Sequence, residues 1–299
     1  MTRTTPPRPL DVEARFPALA PLVRNATRLH PRRGTPTVEQ SSIGGPVLWP
    51  TGEPWPVCPE ASHRTVWGRE VAGPVPLVPV LQLFVRDVPT LPHPAGTDLL
   101  QLLWCPVEEF HALDRPLLLW RDSAALDPLL DAQPAPHPDA DDNVVSRPCV
   151  LDPEPVTDYP YADAPEELRE MLFAHDEPFV EEEEQGWSMW DLLIVPGCKV
   201  GGFPCWTQAP DWPTCERCGG GTEHLVTLTG WEGDRNWIPR EDWAVNGYAG
   251  GIDPAADHGP EAQANRSPLD ISFGDNGGLY VFACTACPGM PLDFRSDCH

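Results

Sequence analysis

Lysine is almost missing from this 299-residue chain: Lys199 is the only one, and the other nineteen basic residues are arginine. A phosphate-binding P-loop needs Gly-Lys-Ser/Thr, whereas Lys199 follows Cys198, so that chemistry is excluded. Positive charge as a whole is scarce. Twenty Lys and Arg against 45 Asp and Glu leave a net charge of −25, and the basic footprint that nucleic acid requires is absent. No apolar run approaches the roughly eighteen residues of a membrane span, and the opening "MTRTTPPRPLDVEARFP" has no apolar signal-peptide core. A cytoplasmic location is therefore expected. GxSxG, HExxH and GxGxxG motifs are likewise missing from any supporting context.

Proline and glycine are plentiful, at 40 and 24, which favours strands, turns and long loops over a helical bundle. One pattern occurs twice. With a shift of 157 residues, Gly44-Gly45 falls on Gly201-Gly202, Trp49 on Trp206, Trp55-Pro56 on Trp212-Pro213, and Cys58 on Cys215. Each block is followed by an apolar strand-like run, "VPLVPVLQLFV" (75–85) or "EHLVTLTGW" (223–231). Each copy later has a strand ending in cysteine, "LLQLLWC" (99–105) or "GLYVFACTAC" (278–287). The fold class expected is a β-dominated α+β protein with an internally duplicated sheet unit.

Four segments follow from this reading: an N-terminal helical segment (1–34), a first β-rich repeat (35–120), a connector (121–186) and a second β-rich repeat (187–299). Residues 10–30 space Leu and Val for an amphipathic helix, with Pro17 starting its main part. Between Arg121 and Glu184 stand nineteen Asp or Glu against three Arg, so about sixteen of the net charges lie in the connector. It is read as largely extended and dispensable to the fold, with one helix from Asp163 to His175 capped by Asp163. Such a segment is a solubilising linker or a surface for a basic partner. Asn276-Gly277 marks a tight turn into the last strand, and the three tryptophans of 230–251 are read as core or loop packing, the alternative being that they line a groove.

Ten cysteines in a cytoplasmic chain point to metal or to burial rather than to disulfides. Cys215 and Cys218 form one Cys-x-x-Cys pair, Cys284 and Cys287 another. Together they supply the four thiolates of a closed structural zinc shell. In the first copy, Cys58 and Cys105 keep the leading positions while Ala61 and Glu108 stand where the partner cysteines would be. Half a site cannot close a sulfur shell, so two buried thiols are expected there, the alternative being a makeshift site from Cys58, His63, Cys105 and Glu108. Cys205 and the terminal Cys298-His299 are minor candidates for ligation or reactivity.

"KVGGFPCW" (199–206), "CERCG" (215–219), "HLVTL" (224–228) and "LYVFACTAC" (279–287) resemble the programmed-cell-death-protein-2 family, dedicated chaperones for a newly made ribosomal protein. "FGDNGGLYVF" (273–282), with the Gly-Gly-x-Pro motif, also resembles the bacterial YwqG-like family, β-rich and internally duplicated. The resemblance covers about residues 35–110 and 190–290. Together with the four-cysteine pattern and the acidic connector, it leads to an expected non-catalytic, zinc-stabilised protein-binding protein: a chaperone for a basic client, or an antidote to a basic toxin. The alternatives are an enzyme using carboxylates and His224 or His258 in a cleft between the repeats, and a redox or metal-handling protein.

Overall fold

The strongly apolar runs form the middle of two antiparallel sheets, each covered on both faces. A computed structural model describes residues 2–60, 62–65, 67–107, 116–182, 187–233, 236–243, 259–275 and 277–298. Its strands in the first half are β1 (Arg24–Arg28), β2 (Arg32–Arg33), β3 (Ser42–Ile43), β4 (His63–Arg64), β5 (Glu70–Val71), β6 (Val78–Phe84), β7 (Leu99–Trp104) and β8 (Leu117–Arg121). The second half contributes β9 (Cys149–Val150), β10 (Glu154–Asp158), β11 (Lys199–Gly201), β12 (Glu223–Thr229), β13 (Gly278–Ala283) and β14 (Leu292–Asp297). The α-helices among the described residues are α1 (Val12–Arg15), α2 (Glu166–Glu182), α3 (Met189–Leu193) and α4 (Pro260–Arg266).

One six-stranded sheet has the order β2-β9-β3-β6-β7-β8, the other β10-β1-β11-β12-β13-β14, and β4-β5 is a separate hairpin. The two orders match strand for strand, and so do the registers. Across the first sheet runs the row Arg33, Cys149, Ile43, Leu81, Leu102, Leu118. Across the second runs Pro155, Thr27, Val200, Val226, Val281, Phe294. Even the irregularity recurs, as a bulge between Pro79 and Leu81 and another between His224 and Val226. A bulge is where a central strand tolerates a residue without an N–H, which accounts for Pro79 inside β6.

Each half lends its first strand to the other. β1, from the N-terminal segment, lies between β10 and β11, and β9, from the acidic connector, lies between β2 and β3. Two expectations are corrected here. The stretch 10–30 is not one helix: α1 has four residues, Pro17–Leu22 is a 3-10 turn, and the chain then extends as β1. Pro17 and Pro21 cannot donate to a helical ladder, and β1 satisfies its backbone between two neighbours instead. The connector is not a dispensable spacer, because β9 and β10 are built from it. Its helix α2 begins at Glu166, with Glu167 also in the first turn. Asp163 is occupied elsewhere, accepting from the indoles of Trp206 and Trp212 at 3.3 and 2.5 Å.

The sheets share one aliphatic core, to which Ile43, Val80, Leu102 and Trp104 contribute from one side and Val200, Val226, Leu279 and Val281 from the other. Most tryptophans pack in the outer layers. Trp187, Trp206 and Trp237 lie between the second sheet and its helices, and Trp49 lies on the far face of the first sheet with Trp55 against it. Trp49 and Trp55 are 5.1 Å apart, Trp206 and Trp212 6.4 Å. Gly44 and Gly201 both have positive φ, 61° and 71°, a conformation open to glycine. A Cβ on Gly45 would meet Pro36 and Ser42, and one on Gly202 would collide with Asp158. Asn276 of the expected turn lies outside the described residues.

Candidate metal centre

Cys215 opens a tight turn in which its N–H bonds Gly220 O at 2.8 Å and its carbonyl accepts from Gly219 N at 2.7 Å. Gly219 supplies the left-handed residue, with φ 69°. The second pair is held in a similar way: Cys284 N bonds Pro291 O, Met290 N bonds Cys287 O, both at 3.0 Å, and Gly289 has φ 80°. Arg217 Nη1 donates to Pro288 O at 2.9 Å, joining the two turns.

The four thiols meet. Cys218 and Cys284 sulfurs are 3.7 Å apart, Cys215 and Cys287 4.0 Å, and all four lie within 4.8 Å of one another. A tetrahedral shell with Zn–S of about 2.3 Å has S···S separations of about 3.8 Å. All ten cysteines are free thiols. The N–H of Cys218 draws the Cys215 thiol down to about 7, while hydrogen bonding to Cys218 pushes Cys287 up to about 12. Four adjacent thiolates repel unless a cation lies among them, so the donor set fits zinc in number, softness and spacing.

A second cluster assembles in the first half. Cys58, His63 and Cys105 place their ligand atoms within 4.8 Å of one another. Cys58 is anchored by its N–H on Val75 O at 2.8 Å, Cys105 follows directly on β7, and His63 opens β4, opposite Val71. The positions of Ala61 and Glu108 lie outside the described residues.

Among the described residues, the other candidates do not form a site. His224 is buried with Nδ1 against Gly201 O at 3.0 Å and Nε2 against Thr227 Oγ1 at 2.9 Å, and burial pushes its imidazole down to about 3. It is neutral and internally bonded, not a poised base, and the space between the sheets is core rather than cleft. His258 and His299 lie outside the described residues. Cys205 donates to Val195 O at 3.3 Å, and burial raises its thiol to about 11. Cys298 is exposed.

A cleft of about 500 Å³ lies on the outer side of the second sheet, and of the tryptophans in 230–251 that could line a groove, Trp231 does so. Tyr161, Phe173 of α2, Trp190 of α3, Trp206 and Trp231 line it, with Gln208 and Thr207 as polar contacts. Tyr161 meets Phe173 edge-on at 4.9 Å, and Phe173 and Trp231 are 50% and 38% exposed. These aromatics lie far apart in the chain, on segments that only the fold brings together. Comparison of the chain with protein-family models and with curated proteins finds no match. No helix among the described residues is long and apolar enough to cross a membrane.

Proposed function

We propose that the chain is an internally duplicated, zinc-stabilised binding protein that holds a basic protein segment, as a chaperone for a basic client or an antidote to a basic toxin. Cys215, Cys218, Cys284 and Cys287 hold the zinc, which fixes the turn before β12 to the end of β13. The matched strand orders support descent of both halves from one unit, in keeping with the resemblance to the YwqG-like family.

The observation that carries the binding role is the aromatic cleft beside an acidic helix. Glu166 and Glu170 precede Phe173 by seven and three residues, so they share its face of α2, and both are exposed. Aromatic faces attract arginine and lysine, and carboxylates steer them. An apolar floor with an acidic margin thus selects a cationic, partly apolar segment over an acidic one.

The test is co-purification from the native cell, identification of the partner, and titration of its cationic segment against the full chain. Trp231→Ala should weaken binding about tenfold or more, Glu166→Gln with Glu170→Gln should reduce its salt dependence, and Trp67→Ala, altering an exposed residue outside the cleft, should change nothing. Acidic partners, or affinity indifferent to Trp231, would overturn the proposal.

A further inference from the structure

The first half retains half of the four-cysteine centre, and a structural addition stands where the rest is lost. Cys58 corresponds to Cys215 through the shift that aligns the two glycine-tryptophan blocks. Cys105 corresponds to Cys284 through the matched registers of β6-β7 and β12-β13. From Cys215 to the start of β12 at Glu223 the chain advances eight residues. Between Cys58 and the start of β6 at Val78 it is twelve residues longer. That extra chain contains the β4-β5 hairpin, and the first residue of the hairpin is His63, only 4% exposed.

We propose that Cys58, His63 and Cys105 bind a second zinc ion, the hairpin insertion supplying an imidazole in place of a lost thiolate. Two thiolates and one imidazole form a set that zinc accepts and that magnesium and calcium, which prefer oxygen, do not. The sulfurs and the imidazole lie within 4.8 Å of one another, the spacing that ligands on a single ion adopt. The surroundings are largely apolar, with Trp55, Val71, Val75 and Leu77 in the same cluster, and the fourth tetrahedral position that three protein donors leave open would be taken by water. The hairpin itself has two-residue strands and a tip residue, Trp67, that is 91% exposed. So short a hairpin has little stability of its own, and a His63–zinc bond anchors its base. With three donors instead of four thiolates, this centre holds its metal less tightly than the four-cysteine centre and exchanges it first.

The proposal is independent of what the aromatic cleft binds. Its test uses the full chain, produced with zinc supplied and purified without chelator. Metal analysis should give about two zinc ions per chain, falling by about one with His63→Gln or Cys58→Ser. Cobalt substitution of the unaltered chain provides a reading that does not depend on a variant folding. Sulfur-to-cobalt charge-transfer absorption should correspond to six cobalt–sulfur bonds rather than four, about 1.5-fold higher. A chelator titration should release the metal in two steps, and His63→Gln should remove only the faster one. A single zinc with a four-sulfur cobalt spectrum would overturn the proposal, as would a disulfide between Cys58 and Cys105 in the purified protein. If instead the four-cysteine centre were empty while the mixed centre filled, the zinc assignment above would fail and this one would stand.

Discussion

The single lysine is spent on a buried ion pair. Lys199 Nζ donates to Asp158 Oδ2 at 2.8 Å and to Val195 O at 2.7 Å, and both side chains are fully buried. Asp158 also accepts from Val195 N and Phe203 N, each at 2.9 Å. The carboxylate thus ties the connector strand β10 to the turn after Gly201-Gly202, and its closeness is why Gly202 cannot carry a side chain. Removing one partner of such a pair leaves an uncompensated buried charge, which costs about 3–5 kcal/mol. Lys199→Met should destabilise the chain by that order in urea unfolding, and adding Asp158→Asn should recover part of the loss. A Lys199→Met variant as stable as the parent would show that the pair contributes nothing. Lysine scarcity is visible in the sequence, but the burial of Lys199 is not, because its partner lies 41 residues earlier.

At the scale of elements, legibility followed burial. β6, β7, β12 and β13 were readable because both of their faces are covered and they are rich in apolar residues, with only isolated buried polar ones such as Gln82, Gln101 and Thr227. β2, β3 and β9 have two residues each, too few for any period, and their pairing is set by partners far along the chain. The charge of residues 121–186 masked two strands, since Glu154 and Asp158 belong to β10. The four-cysteine cluster was legible because two residues between cysteines already constrain both sulfurs. His63 could be named but not placed, because nothing local specifies where the hairpin folds. The exchanged strands make a direct prediction. Residues 1–121 and 187–299 produced separately should each fail to give a folded sheet, since each lacks the second strand of its own sheet and the first half also has β1 unpaired. A fragment with native-like circular dichroism and a cooperative melt would contradict the exchange.

For the whole molecule, the exchange and the shared core have one consequence. Val200, Val226 and Val281 pack against Ile43, Leu81 and Leu102 in a single cluster, so neither sheet can open without exposing the inner face of the other. The four-cysteine centre lies at one end of this unit, yet its loss should be felt throughout. Metal ligation contributes on the order of 10 kcal/mol in small zinc modules, and a chain of this size loses roughly 2–4 °C of melting temperature per kcal/mol. Cys284→Ser should therefore lower the melting temperature by about 10 °C or more. The transition should stay single, because β1 and β9 couple the halves whether or not a metal is bound. Tryptophan fluorescence is the suitable probe, since Trp104 reports from the shared core, Trp49 from the far face of the first sheet, and Trp206 and Trp237 from the helix-covered face of the second. Fluorescence and far-ultraviolet dichroism should give coincident melts in both the parent and the variant. Two separated transitions in Cys284→Ser, with the first half melting at the parent's temperature, would show that the sheets are joined but not cooperative.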